Sequence, residues 1–167
     1  MIIKLQIYNF LANKFYLAIL NQSMSQKSKI LVFLQFAIMG FFVLDGSFQS
    51  KPILLIIQII ALIIALWGLL VMQFGKFNIQ PEVKENANLN KKGPYKIIRN
   101  PMYIGIILFF GAAVIGHFTF VRLLLFFILT FVLLMKIEME ERFLEQKFGA
   151  EYIQYKKQTY RLIPFVF

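Results

Sequence analysis

Two short stretches of this chain hold most of its polar chemistry. The first, Gly93 to Gly105, reads GPYKIIRNPMYIG and packs two prolines, two tyrosines, an arginine and an asparagine between apolar runs. The second begins at Lys136, continues through Glu138, Glu140 and Glu141, and ends near Arg161. On a helix, Lys136 and Glu140 are four residues apart and share a face, while Glu141 lies about 100° round and Glu138 on yet another side. A cation and a carboxylate at the end of an apolar helix are placed to touch a molecule that is half apolar and half polar. Each residue also has an ordinary role. Lys136 fits a snorkelling anchor, the glutamates a solvated face, and Pro101 a helix start. Gly93-Pro94 fits a turn, and Tyr95 and Tyr103 fit interface aromatics. His117, the single histidine, lies in a different link and reads as structural.

The elements that must position these residues follow from composition. The chain has 167 residues, 59% of them hydrophobic and 16% charged, with a mean hydropathy of +0.70. That is more apolar surface than one soluble domain buries, so the sequence predicts an integral membrane protein. Cysteine is absent, which removes disulfides, zinc-thiolate sites and a thiol nucleophile.

Crossing about 30 Å of hydrocarbon takes about 20 helical residues. Two stretches meet this, Ile30 to about Phe48 and Ile53 to Phe74, and a third runs from Met102 to about Phe120. The fourth, Leu123 to Met135, is short, so its helix is expected to continue past the lipid and end near Gly149. Gly105, Gly111, Ala112 and Gly116 are small residues suited to close helix packing. Between Met1 and Leu20 the polar residues Lys4, Gln6, Asn9, Asn13 and Lys14 read as one wet stripe, which suggests an interfacial helix rather than a fifth span or a signal peptide. The expected fold is all-α: a polytopic bundle of about four transmembrane helices plus an N-terminal interfacial helix. It reads as one membrane domain, 1–167, divided into an interfacial segment (1–29), a first helical hairpin (30–74) and a second half (75–167).

Of the 18 Lys and Arg residues, 16 fall before the first span, in the second link or in the tail, and two fall in the other links. The positive-inside rule then puts both termini and the second link in the cytoplasm. The net charge of +10 is therefore a topology signal and an attraction to lipid headgroups, and nucleic acid is not the expected partner.

Taken in order, the motifs carry more than any single residue. Gly93-Pro94-Tyr95 and Arg99-Asn100-Pro101-Met102-Tyr103 precede an apolar hairpin. Glu140-Glu141, Leu144, Phe148-Gly149, Tyr152, Tyr155 and Arg161-Leu162-Ile163-Pro164-Phe165 follow it. This arrangement, from about Gln80 to Phe165, resembles the isoprenylcysteine carboxyl methyltransferase family and its phospholipid methyltransferase relatives. Nothing before it carries a visible family signature.

The resemblance implies methyl transfer from S-adenosyl-L-methionine in a cytosol-side pocket made by the second link and the C-terminal segment. The acceptor, lipid-like or prenylated, would enter from the bilayer, and no metal is implied. By resemblance the cofactor-binding residues are Gln80, Leu89, Asn90, Tyr95, Asn100, Pro101, Met102, Tyr103 and Glu140. Lys136, Arg99 and Glu141 are the candidate catalytic residues. Lys136 stands where the prenylcysteine enzymes carry an arginine that holds the substrate carboxylate, and Asn100 stands where the family carries a histidine. An amide still hydrogen-bonds but does not titrate, and a lysine keeps the charge but loses the two-pronged grip. A carboxylate acceptor arrives ionised and needs only a cation to hold it. An amine or thiol would need a base, for which Glu140 or Glu141 is the candidate. Within the superfamily the alternative is a phospholipid or small-molecule N- or S-methyltransferase, and two readings from other classes stand beside it: a nicotinamide-dependent membrane reductase with a similar helical layout, and a non-catalytic membrane partner.

Overall fold

The computed structural model describes residues 26–46, 51–72 and 89–165. The described residues form five α-helices and no strand. They are α1 (Gln26–Leu44), α2 (Pro52–Met72), α3 (Pro101–Gly116), α4 (Phe120–Phe148) and α5 (Ala150–Gln158), with a single 3-10 turn at Gly93–Lys96. Residues 1–25 of the expected interfacial segment lie outside the described residues, as does Gln80.

Three helices, α1, α2 and α4, are long and apolar enough to cross a membrane, and α3 is a shorter apolar helix. The all-α membrane bundle expected from the sequence is therefore present. Its boundaries differ in several places, including the end of α1 at Leu44 rather than near Phe48 and the start of α4 at Phe120 rather than Leu123. α1 begins four residues before the expected Ile30, because Gln26, Lys27 and Lys29 face outward while Ser28 is buried. α3 stops at Gly116 rather than near Phe120, because Thr119 already serves as the N-cap of α4 and accepts from the Arg122 N–H. At 16 residues α3 is about 24 Å long, less than a full hydrocarbon thickness.

α4 runs past the end of its uninterrupted apolar run at Met135 for 13 more residues to Phe148. Its stop is Gly149, whose φ of +51° an L side chain rarely adopts; the chain reverses there into α5.

Close approach sets the packing of α2 on α3. A Cβ on Gly105 would lie 2.7 Å from the Ala61 carbonyl oxygen, so the two backbones touch at this level. One end further on, Gly68 faces Pro101 and Met102. α1, α3 and α4 share a core of Ile38, Phe42, Phe110, Val114, Leu129 and Leu133. A second cluster, Ile104, Ile137 and Leu162, brings the C-terminal segment in between α3 and α4. At the far end Arg122 donates to Asp45 at 2.7 Å and to the His117 carbonyl at 2.6 Å, tying the α3–α4 hairpin to the end of α1. Outward-facing Ile, Leu and Phe side chains remain exposed on α1, α2 and α4, as lipid contact requires.

Candidate active site

The residues singled out in the sequence separate into two adjacent groups where the second link meets the last turns of α4. The first group is a clasp. Arg99 donates through Nε to Glu141 at 2.9 Å and through Nη1 to the Lys156 carbonyl at 3.2 Å, and also reaches the Thr159 carbonyl. Arg161 donates to the other Glu141 oxygen at 3.0 Å. Two arginines thus share one buried carboxylate, the arrangement that makes a buried ion network affordable in a low-dielectric setting.

The clasp holds the C-terminal segment against the start of α3. Backbone bonds complete the hold: the Arg99 N–H donates to the Tyr160 carbonyl at 2.8 Å, and the Tyr160 N–H donates to the Ile97 carbonyl at 2.9 Å. Asn100 donates its amide to the Arg161 carbonyl at 3.0 Å and so does not cap α3. The outer face of the clasp opens into a cleft of about 410 Å³ lined by Arg99, Glu141, Lys156, Thr159, Tyr160, Arg161 and Phe165.

The Gly93–Lys96 turn is fastened on its other side to α2. Asn90 donates to the Val71 carbonyl at 2.8 Å and Tyr95 reaches the Gly68 carbonyl at 3.4 Å, while Leu89, next to Asn90 in the chain, is half-buried. Tyr155 in α5 donates its hydroxyl to the Tyr95 carbonyl at 2.6 Å. Burial, opposed by the Arg99 guanidinium and reinforced by Glu141, pushes the Tyr155 phenol up to about 12. Burial and then the Glu140 charge push Tyr95 up as well. Both phenols therefore stay neutral donors at any physiological pH.

The second group is a polar row inside the bundle. Tyr103 donates its hydroxyl to Glu140. Its ring faces the Lys136 ammonium 5.4 Å from the ring centre. Lys136, only 2% exposed, donates to the Gln35 side-chain oxygen at 2.7 Å. The snorkelling reading of Lys136 does not hold: its head points into the bundle. The expected sharing of a helix face by Lys136 and Glu140 does hold, since both meet Tyr103. Glu138 lies outside this row and pairs with Arg142 and Arg161.

The structure therefore brings Tyr103, Lys136 and Glu140 together, with Pro101 and Met102 setting the start of α3 beside them. It places Arg99, Asn100 and Glu141 in the neighbouring clasp, and Asn90 and Tyr95 on the end of α2. Gln35 was not singled out from the sequence. Its signal was one polar residue in the buried spacing Ser28, Leu31, Gln35, Ile38, Phe42, which repeats every three and four positions.

Two comparisons with known proteins bear on the family of this chain. A stretch of 73 residues, 42% of this chain, is 41% identical to methanethiol S-methyltransferase 1 of Bradyrhizobium diazoefficiens, and it spans 24% of that protein's length. The family model described as phospholipid methyltransferase matches residues 51–151. That range takes in α2, so the family pattern begins earlier than the sequence motifs suggested, and it carries the Arg99–Tyr103 turn, the hairpin and the Glu140–Glu141 pair on one continuous match. With more than half its length matched, the chain belongs to the phospholipid methyltransferase family.

Proposed function

We propose that this protein is an S-adenosyl-L-methionine-dependent methyltransferase of the isoprenylcysteine carboxyl O-methyltransferase type, acting on a lipid-like or prenylated acceptor that enters from the bilayer. The observation that carries the reading is the row Gln35–Lys136–Tyr103–Glu140, in which a carboxylate and a buried cation flank one tyrosine at the base of the α3–α4 hairpin.

The residues present suit the cofactor. When bound, it supplies a methyl group on a positively charged sulfur. Glu140 offers a carboxylate for hydroxyl or ammonium groups, and the first turn of α3 lacks a side-chain cap, so that the Met102 N–H remains for a carboxylate while the Tyr103 and Ile104 N–H groups donate to the Asn100 carbonyl. Tyr103 fixes the Glu140 rotamer. By resemblance Leu89, Asn90, Tyr95, Asn100, Pro101 and Met102 are assigned to the wall that the second link contributes, and Gln80, outside the described residues, is a cofactor residue on the same resemblance. Lys136 is assigned to the acceptor, where a cation holds an ionised carboxylate without any proton transfer. Arg99 and Glu141 engage each other, so their part is to hold the C-terminal segment in place. Orientation and exclusion of water are then the main tasks left to the protein.

A second reading, S-methylation of a small thiol, is favoured by the activity named for the Bradyrhizobium protein. A thiol must first lose its proton. Glu140 is the base assigned to that step, because the Glu141 oxygens already accept from Arg99 and Arg161. Both readings keep the termini and second link in the cytoplasm. Labelling of intact cells from outside should leave both Lys92 and Lys156 unmodified.

Titrating S-adenosylhomocysteine into purified full-length protein tests the reading. Binding is expected for the wild type, its loss in Glu140→Ala, and its retention in Glu138→Ala. No binding at millimolar ligand to a folded sample removes the enzyme reading and leaves the partner-protein alternative. Binding of a nicotinamide cofactor instead would identify a reductase.

A further inference from the structure

Lys136 is buried in an apolar bundle, yet its contacts are neutral. It meets the Gln35 carbonyl oxygen at 2.7 Å and the Tyr103 ring face at 5.4 Å. Among the described residues no carboxylate lies within ion-pair distance of it; Glu140, one turn on, accepts from Tyr103 instead. Burying a charge inside a membrane bundle is costly, and the usual remedy is an opposite charge alongside. Here α1 supplies an amide.

The orientation of that amide is fixed by chemistry. A lysine ammonium has three donors and no acceptor, so the Gln35 oxygen must face it. The Gln35 nitrogen lies 3.8 Å from the Met39 sulfur, a weak acceptor on the same helix. An amide dipole steers an ammonium without cancelling its charge, whereas a carboxylate at the same place would neutralise it. The apolar neighbours of Gln35 on the buried stripe of α1, namely Leu31, Ile38 and Phe42, hold its backbone against α3 and α4.

We propose that Gln35 is a positioning residue of the acceptor site. It holds the Lys136 ammonium against Tyr103 without a direct ion pair, so that the site takes an acceptor whose methyl-receiving atom is negatively charged. α1 lies outside the residues matched by the family model, so this helix completes a site that the matched region does not contain. The inference rests on the methyltransferase reading and adds the charge of the acceptor and the helix that selects it.

Gln35→Glu is the decisive variant. It is nearly isosteric and still bonds the ammonium, so a purely structural Gln35 predicts a stable protein with intact acceptor binding. A positioning Gln35 predicts a stable protein that has lost its preference for anions.

The test measures equilibrium binding of N-acetyl-S-farnesylcysteine and of its methyl ester to the full chain in nanodiscs, with S-adenosylhomocysteine affinity read on the same samples. The wild type should bind the acid roughly tenfold more tightly than the ester, the size of one charge-assisted bond. Gln35→Glu should abolish that ratio and raise the KM for the acid by a similar factor, with S-adenosylhomocysteine affinity unchanged. Retention of the ratio in Gln35→Glu overturns the inference and leaves the methyltransferase reading standing.

A thiol arm distinguishes the source of the charge. If the wild type shows no acid preference but methylates heptanethiol, and Gln35→Glu raises the thiol KM, the anion is a thiolate and the inference holds. If the wild type neither prefers the acid nor methylates the thiol, the inference falls. S-Adenosylhomocysteine binding then tells whether the enzyme reading falls with it. Because Gln35→Leu alone strands a buried ammonium and lowers stability, it is compared in the Lys136→Met background, where both polar groups are gone. There Gln35→Leu should change the acid-to-ester ratio no further, and an added effect would show that Gln35 acts independently of Lys136.

Discussion

The clasp and the polar row lie side by side and spend their charges in opposite ways. In the clasp, Arg99, Arg161 and Glu141 satisfy one another, and the backbone of residues 159–161 is tied in with them. In the row, Lys136 is as deeply buried as Glu141 but its near contacts are an amide and a ring. A saturated network fixes where the chain goes. A buried cation without a direct ion pair costs stability, and membrane proteins keep such groups where a ligand makes up the difference.

That contrast predicts a double dissociation. Glu141→Ala leaves two arginines facing each other without their shared partner, and the cost should be about 3–5 kcal/mol, read as a large drop in thermal unfolding temperature in detergent. Lys136→Met should leave that temperature unchanged or raise it, because it removes a buried charge. It should nevertheless cut turnover of an anionic acceptor about a hundredfold, or about 2.7 kcal/mol, with cofactor affinity intact. If Lys136→Met instead unfolds the protein while Glu141→Ala does not, the assignment of the two groups is reversed.

The smallest effect concerns the bond that joins α5 to the Gly93–Lys96 turn. Tyr155→Phe removes the donor to the Tyr95 carbonyl and should cost about 1 kcal/mol. The folded phenol titrates near 12 against about 10 in the unfolded chain. Its contribution is thus fully present below pH 10 and lost as the pH rises through 12. Tyr155→Phe should therefore show a shallower fall in stability across that alkaline range than the wild type.

Much of this was legible in the sequence, for identifiable reasons. Long apolar runs have few alternatives to helix in lipid, so α1, α2 and α4 could be read from hydropathy. The continuation of α4 to Gly149 could be read from its length shortfall and a glycine in the right place. The pairing of Lys136 with Glu140 on one face follows from 3.6 residues per turn.

The misreadings have a common source. The sequence shows that Lys136 ends an apolar run, but not whether its head turns outward to the interface or inward to a partner. The same ambiguity hid the separation of Arg99 and Glu141 from the row, because adjacent positions 140 and 141 point into different neighbourhoods only once α5 and residues 159–161 fold back. Gln35 is 101 residues from Lys136, and a lone glutamine in a span carries no signal about which helix it will face.

The sequence by itself determined the number of apolar helices, the stop at Gly149 and the local faces on which polar residues stand, because those depend on interactions within a few residues along the chain. Only the tertiary structure decided which faces meet. The approach of α2 to α3 at Gly105, the return of Tyr160 to Ile97 and the reach of Gln35 to Lys136 are all set by packing between distant segments. Such packing depends on the shape of the whole bundle, and no short stretch of residues encodes it alone.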